Sequence, residues 1–313
     1  MNILVRPLRE SDLPLADRIF RLAFGTFNGL QDPLRFGGDM DKIRTRWLAD
    51  PGAAFGAEAD GALVGSNFVT HWGSVGYFGP LTVHPDFWDR GVGQKLVEPA
   101  LALFEAWGCR HTGLYTFSAS PKHLALYQKF GFWPRALTAI LSKAVRPVER
   151  VGEASLYSQT PASERAGLVA AAAGLTDAMY AGLDVQREIL ALQNQGLGDT
   201  VLIWDDPGLV GFGAVHVGAG SEAGSGCGFI KFGAARPGPK AGEYFGRLLS
   251  ACEAYVAAQG ARQLIAGVSL ARKPAYEHLR SRGFQPEVVG VCMHKPNEPG
   301  YHRAEAWVID DWR

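Results

Sequence analysis

The fold is decided by two stretches, LTVHPDFWDRGVGQKL at residues 81–96 and SPKHLALYQKFGF at residues 120–132. The first stretch has the pattern of a buried strand, a turn that contains Gly91 and Gly93, and the start of a helix. The second stretch has the pattern of a helix that ends at Gly131. Together they predict an α/β domain with a functional turn between a strand and a helix.

The turn has the features of an anion site. Small residues such as Gly91 and Gly93 allow the backbone to approach a ligand closely. The first N–H groups of the following helix have no partner within the helix, and they carry the positive end of its dipole. Arg90 and Lys95 add positive charge. These features favour the binding of a diphosphate, although a helix start without any ligand has a similar local pattern.

The two stretches together resemble the signatures of the GNAT acetyltransferase superfamily. One signature is an acyl-CoA loop, (Gln/Arg)-x-x-Gly-x-(Gly/Ala), after a strand that ends in Val-x-Pro, and the other is a helix with a tyrosine four residues before Gly-Phe. Gly91, Gly93 and Tyr127 match, and the resemblance extends over residues 2–143. Trp88 stands where glutamine or arginine is usual, and Ser120 stands where asparagine is common.

The resemblance implies acetyl-CoA as co-substrate and a set of residues that bind it. The backbone of Leu81 and Val83 would pair with the pantetheine arm, and an N–H there would polarise the thioester carbonyl. Tyr127 would be the general acid that protonates the departing thiolate. The implied cofactor-binding residues are Leu81, Thr82, Val83, Asp89, Arg90, Gly91, Val92, Gly93, Gln94, Lys95 and Ser120.

The expected reaction is the transfer of an acetyl group to a primary amine by direct attack. The acceptor is left open as a small metabolite, an antibiotic or a peptide N-terminus, and the acyl chain length is also open. Two alternatives remain, a non-catalytic acyl-CoA sensor and a transferase of another acyl group. Candidates for the general base are His71, Glu58, Asp32 and His84. Candidates for an apolar acceptor pocket, or for simple packing of a loop, are Phe24, Phe27, Asn28, Leu30 and Phe36.

The first domain is predicted over residues 1–145, with a mixed sheet. Asp60-Gly61 predicts a hairpin between strands at 53–58 and 62–72. Further strands are predicted at 77–83, 112–117 and 137–142, with helices before Gly108 and over 124–130. The pattern is typical of an α/β fold.

The second half repeats the first. Adding 152 to the residue number carries Pro85 onto Pro237, Gly108 onto Gly260, and Gly131-Phe132 onto Gly283-Phe284. A linker is expected at 146–152 and a second GNAT-like domain at 153–313. The same shift carries Gly91 onto Glu243, Gly93 onto Phe245 and Tyr127 onto Leu279. We therefore expect the second domain to have lost its cofactor site, because a carboxylate and a bulky ring would oppose an anion.

Composition excludes several other classes of protein. Lys+Arg and Asp+Glu both number 31, so there is no cationic excess for nucleic-acid binding. The four cysteines have no metal-ligand spacing, so we expect free thiols and no metal. The N-terminal sequence does not resemble a signal peptide, and no apolar run is long enough to span a membrane. The sequence thus predicts a cytoplasmic protein that does not bind membranes, and it leaves oligomerisation possible.

Overall fold

The computed structural model describes residues 2–146, 154–206 and 208–313. The first half contains seven strands and four α-helices among these residues. The strands are β1 (Ile3–Pro7), β2 (Ala54–Ala59), β3 (Ala62–Trp72), β4 (Val75–Phe78), β5 (Thr82–Val83), β6 (His111–Thr116) and β7 (Trp133–Ala144). The helices are α1 (Leu13–Phe27), α2 (Ile43–Ala49), α3 (Val92–Ala106) and α4 (Pro121–Gln128).

The second half has nearly the same succession of elements, but one continuous strand stands in place of β4 and β5, and one additional strand follows at the end. Its strands are β8 (Ala154–Leu156), β9 (Gly198–Asp205), β10 (Gly208–Gly218), β11 (Gly224–Ala235), β12 (Gln263–Ser269), β13 (Gln285–Lys295) and β14 (Val308–Ile309). Its helices are α5 (Ala162–Asp177), α6 (Gln186–Gln195), α7 (Ala241–Ala258) and α8 (Lys273–Ser281). The shift of 152 carries Pro121 onto Lys273 and Trp133 onto Gln285, which are the first residues of α8 and β13. The predicted repeat is therefore visible in the element boundaries.

All these strands join one mixed sheet, in which the two halves exchange strands. Its order is β1-β2-β3-β4-β6-β13-β7-β12-β11-β10-β9-β8, while β5 pairs with β3 and β14 pairs with β11. Strand β13 of the second half lies between β6 and β7 of the first, and β7 in turn pairs with β12. Each half thus completes the sheet of the other, so the halves share a continuous backbone ladder.

The helices cover both faces of the sheet. Tyr77 and Phe78 are neighbours in β4 and point to opposite faces. Tyr77 packs with residues of α5 and α6, whereas Phe78 packs with residues of α3 and α4. The first of these clusters also contains Trp72 from the first half and Trp312 from the end of the chain. The core therefore runs across the boundary between the halves.

The structure confirms several sequence expectations and changes others. Asp60 and Gly61 have φ values of +51° and +83°, as the predicted tight hairpin turn requires. The strand predicted at 77–83 is interrupted, because β4 ends at Phe78 and β5 begins at Thr82. Strand β7 is longer than predicted, because its first residues pair with β13. Apart from Arg146, the predicted linker lies outside the described residues, and the domain limits of 145 and 153 remain predictions.

Candidate active site

The interruption between β4 and β5 is a bulge. Val69 pairs with Phe78 and Ser66 pairs with Thr82, so three residues, Gly79 to Leu81, face only two on β3. An extra residue re-aims the backbone that follows it, and such bulges are common beside active sites. The bulge separates the part of this strand that pairs with β6 from the part that does not.

Beyond the bulge the backbone has an open edge, which we define as the side of residues 81–83 that faces away from β3. The N–H of His84 donates to the carbonyl of Val64 at 2.8 Å on the β3 side. Because backbone groups alternate along a strand, those of Leu81 and Val83 point to the opposite side. There, β6 pairs with β4 only as far as Leu114, and no strand of the described residues pairs with this side of β5. The open edge can accept an additional extended chain.

Trp88 lies at this open edge. Its indole N–H donates to the carbonyl of Val83 at 2.8 Å. The ammonium of Lys122 lies 5.7 Å from the centre of the Trp88 ring and forms an ion pair with Asp89 at 2.7 Å. Trp88 stands where the GNAT loop usually has glutamine or arginine, and here its indole occupies the backbone carbonyl of Val83. The backbone N–H of Val83 still points away from β3, along the open edge.

The turn before α3 has the geometry of an anion site. Asp89 and Gly91 both have left-handed backbone, with φ values of +63° and +81°, and Gly91 is the N-cap of α3. The N–H groups of Val92, Gly93 and Gln94 lie in the first turn, where the helix provides no acceptor. A Cβ atom on Gly91 would meet nothing within 4 Å, so its surroundings are open. The turn therefore has an open, left-handed backbone at the start of α3, and its use as a diphosphate loop stays a prediction.

The charged side chains of this loop are exposed. Lys95 pairs with Glu98 at 3.2 Å, with both side chains about half exposed, so the pair is easily exchanged for another anion. Arg90 lies over the ring of Phe87 at 5.5 Å. The sequence signatures do not identify Lys122 as part of this site. It lies two residues after Ser120, at the start of the second signature, and this position is the only indication that the sequence gives.

Tyr127 is buried beside the open edge. Its ring centre lies 5.8 Å from that of Phe78, the last residue of β4. Burial raises the pKa of Tyr127 above its usual value, so its hydroxyl remains protonated at neutral pH. Ser120 is the N-cap of α4, where its hydroxyl accepts the N–H of His123 at 3.4 Å. Tyr127 thus lies in the last turn of α4, and Ser120 lies directly before its first residue.

The four candidate bases lie in different places. His84 follows β5 directly, and its Nδ1 accepts the N–H of Asp86 at 3.3 Å. His71 pairs with Gly76 in the other direction along β3, five residues from Ser66, which is roughly 16 Å of strand. Glu58 accepts a hydrogen bond from Arg6 at 2.7 Å, and Asp32 caps a short 3₁₀ turn. Only His84 adjoins the open edge.

Aromatic residues of α1 and the following loop pack over the end of β6. Phe27 lies 4.4 Å from Phe117 and 5.1 Å from His123 between ring centres, and Phe24 stacks on Phe36 at 5.3 Å. Phe24 and Phe36 therefore pack against each other, as expected if these residues only stabilise the loop. Phe27 remains 40% exposed, so it also presents a surface beside α4.

In the second half, the strand edge that corresponds to the open edge is paired with β14. Strand β14 pairs with β11, with Ile309 opposite Gly233 and Val308 opposite Ala234. Subtracting 152 from 233 and 234 gives Leu81 and Thr82, so β14 lies along the edge that is open in the first half. A Cβ on Gly242, at the start of α7, would lie 3.1 Å from the Trp307 ring. Leu279, which replaces Tyr127, is fully buried.

A buried network of charges joins the halves behind the bulge, and the sequence reasoning missed it. Arg46 of α2 binds both carboxylate oxygens of Glu222, at 3.0 and 2.7 Å, and Lys231 binds Glu222 at 2.8 Å. Lys42, one turn before Arg46, is also buried, and burial lowers its pKa to about 7. Arg46 and Glu222 are 176 positions apart, so no local pattern could reveal them.

No group of three or more histidine, cysteine or acidic side chains in the described part of the chain could hold a metal ion. None of the helices described is both long and apolar enough to cross a bilayer.

Comparison with models of protein families finds a match to the part of the chain that contains this site. Residues 19–132 match the model of the acetyltransferase (GNAT) family. The matched segment is about a third of the chain and lies within the first half, which is therefore similar to this family over that segment. It contains the open edge, the turn before α3 and Tyr127. A search of curated protein sequences finds no match.

Solved structures show that the whole chain has a tandem GNAT fold. A putative acetyltransferase from Pyrococcus horikoshii has a TM-score of 0.70 and 17% identity, over 99% of this chain and 95% of that one. A GCN5-related N-acetyltransferase from Sphaerobacter thermophilus has a TM-score of 0.59 and 18% identity, over 94% and 95%. A tandem GNAT protein from the clavulanic acid biosynthesis pathway has a TM-score of 0.56 and 13% identity, over 94% and 98%.

Proposed function

We propose that this GNAT protein transfers an acetyl group from acetyl-CoA to a primary amine. One observation carries the proposal: along the chain, the open edge at Leu81 and Val83 is followed by the backbone N–H groups at the start of α3, which have no acceptor within the helix. A pantetheine arm contains amides that can pair with a strand edge, and the diphosphate that follows it suits a helix N-terminus. The two features occur in the order in which they occur in coenzyme A.

Each predicted cofactor residue has a role in this proposal. Leu81 and Val83 pair with the pantetheine arm, and the side chain of Thr82, hydrogen-bonded to Ser66 at 3.1 Å, fixes the strand between them. The segment from Asp89 to Lys95 surrounds the diphosphate, with Gly91 allowing the left-handed turn. The Ser120 hydroxyl, already an acceptor for its own helix, has a proton to donate to the cofactor.

In the reaction, the amine nitrogen attacks the thioester carbonyl carbon and the carbon–sulfur bond breaks. The backbone N–H of Leu81, the last residue of the bulge, stabilises the charge that develops on the carbonyl oxygen. Tyr127, which is protonated at neutral pH, gives its proton to the departing sulfur. The amine must lose a proton before attack, and His84 is the candidate base that adjoins β5.

We propose that the second half, over residues 153–313, binds no cofactor. Strand β14 and Trp307 lie where pantetheine and diphosphate would bind, and Leu279 has no proton to donate. The first half, over residues 1–145, then contains the single reaction centre. The acceptor is a small metabolite, an antibiotic or a peptide N-terminus. The four cysteines are free, which fits the proposed cytoplasmic location.

Calorimetry with acetyl-CoA, followed by an amine panel assayed for release of the CoA thiol, tests the proposal. We expect one binding site per chain and thiol release with at least one amine. Binding without turnover, and without any effect of Tyr127→Phe, would favour the acyl-CoA sensor. If neither CoA nor acetyl-CoA binds, the proposed function is wrong.

A further inference from the structure

The carbonyl of Gly79, at the start of the bulge, is held by a side chain rather than by a strand. The N–H of Gly79 still donates to Phe68 of β3 at 2.8 Å. Its carbonyl instead accepts a hydrogen bond from Nη1 of Arg46 at 2.5 Å. Gly79 has φ +145°, and Leu81, the first residue of the open edge, follows it by two positions. Arg46 therefore fixes the point from which the open edge departs.

Arg46 is itself held from the second half. Its Nε and Nη2 atoms bind the two oxygens of Glu222, and Nη2 also donates to the backbone carbonyl of Arg313. The side chain of Arg46 is 4% exposed and that of Glu222 is fully buried. A guanidinium bound in this forked way has little freedom to rotate.

The second half contributes its own bulge to the same network. In the β10–β11 ladder, Val215 pairs with Ile230 and Ala214 with Phe232, so Lys231 is the extra residue. Subtracting 152 from 231 gives 79, so Lys231 occupies the position of Gly79. Its ammonium binds Glu222 at 2.8 Å and Glu188 at 2.9 Å. A chain of buried contacts thus joins the two equivalent bulges.

The charges of this network support one another. Burial alone would raise the pKa of Glu222, but Arg46 and Lys231 outweigh it and hold that pKa well below its usual range. Burial would likewise lower the pKa of Lys231, and Glu188 and Glu222 reverse the effect. Glu222 and Lys231 therefore stay ionised at neutral pH, and each supports the charge of the other.

We propose that Arg46, oriented by Glu222 of the second half, is a positioning residue that sets the bulge at Gly79 and aims the backbone N–H groups of the open edge at the thioester carbonyl. The inference rests on the proposed use of acetyl-CoA. It gives the second half a role in the reaction although it binds no cofactor, because Glu222 acts on the edge through Arg46. The strand exchange keeps the two halves in register for this contact.

The test uses Arg46→Lys, which keeps the charge for Glu222 but loses the forked donors. The probe is acetyl-CoA labelled with carbon-13 at the acetyl carbonyl, and the measurement is the infrared carbonyl band of the bound probe. We expect the band to move to lower frequency on binding to the unaltered protein and to return toward its free position in the variant. With an accepted amine, turnover should fall at least ~10-fold, as when a donor to a developing oxyanion is misplaced. The Kd of CoA, measured by calorimetry, should change less than about threefold, since the diphosphate loop is untouched.

Arg6→Lys is the matched control. Arg6 also has a forked guanidinium that binds carboxylates, Asp12 at 2.6 Å and Glu58 at 2.5 Å, and it lies on β1, which is not a neighbour of β4 in the sheet. If Arg6→Lys moves the carbonyl band as much as Arg46→Lys, the effect is a general loss of structure and the inference is overturned. Should Arg46→Lys fail to fold, Glu222→Asp replaces it, with the same direction of change expected.

The outcomes separate this inference from the proposed function. If the unaltered protein does not bind acetyl-CoA, the proposed function fails and the inference fails with it. If the unaltered protein binds and shifts the carbonyl band, and a folded Arg46→Lys protein shows the same shift and the same turnover, only the positioning role is refuted.

Discussion

The substitution Gly91→Glu tests the diphosphate loop most directly. A Cβ at Gly91 would point into open space, so the new side chain meets no steric obstacle. Its carboxylate would stand beside the first turn of α3, where the proposal places two phosphate charges. With two charges about 6 Å away and an effective dielectric constant of about 40, the repulsion is ~3 kcal/mol, or roughly 100-fold in Kd.

Gly91→Gln is the matched control, because glutamine has the same shape without the charge. Gly91 has φ +81°, so either side chain costs about 1–2 kcal/mol of backbone strain, which thermal unfolding will report equally for both variants. The difference between their acetyl-CoA affinities, measured by calorimetry, isolates the charge. That difference should shrink as salt rises, because exposed charges are screened. Equal affinities of the two variants at low salt would refute the assignment of the loop.

Three further predictions follow from single groups. Tyr127→Phe should lower turnover about 100-fold and leave the calorimetric Kd of acetyl-CoA within about twofold, because the hydroxyl acts only on the leaving sulfur; normal turnover would mean that another group gives the proton. Lys42→Met should raise the free energy of unfolding, measured in urea at pH 7, by ~2–4 kcal/mol. The reason is that burial lowers the pKa of Lys42 to about 7, so keeping this amine buried costs stability. A less stable variant would mean that the contacts of the amine outweigh the cost of burying it. Burial lowers the pKa of His111 to about 4 and that of His294 to about 2, so as the pH falls each histidine binds a proton more readily in the unfolded chain than in the folded one. The free energy of unfolding should therefore be full above pH ~6.5 and fall below it, by about 2 kcal/mol per histidine at pH 5. Urea unfolding that does not change between pH 7.5 and pH 5 would contradict this.

The local parts of the site could be predicted from the sequence because their signals are local. The left-handed turn needs glycine, and Gly91 is the N-cap of α3 as the loop signature implied. Gly131 predicted where the helix before it stops, but the start predicted at 124 is three residues late, because Ser120 is the N-cap of α4. The ligand contacts assigned to these residues remain predictions, since they concern a molecule that the backbone pattern only implies.

The parts that the sequence did not predict depend on distant pairing. The bulge at Gly79 depends on the register of β3 against two separate strands, and a one-residue offset leaves no periodic pattern. The exchange of β7 and β13 requires strands that are 152 residues apart to have matching edges. Arg46 and Glu222 have no neighbours in sequence that suggest an ion pair. The repeat offered one usable signal, because it aligned Gly79 with Lys231, a charged residue within an apolar strand.

In the second half, β14 pairs with the strand edge that corresponds to the open edge of the first half. An edge like that of Leu81 and Val83, left without any partner, exposes backbone groups that pair with other chains. In the second half β14 supplies that partner, and Ala235 donates its N–H to the carbonyl of Trp307 at 3.0 Å. The same segment continues to Arg313, whose carbonyl contacts Arg46 behind the first open edge. The strand that closes one groove therefore ends in the network that supports the other. On the proposed assignment, a second half that bound its own cofactor could not offer this segment to the first, so the proposed loss of one site and the proposed support of the other belong to a single arrangement.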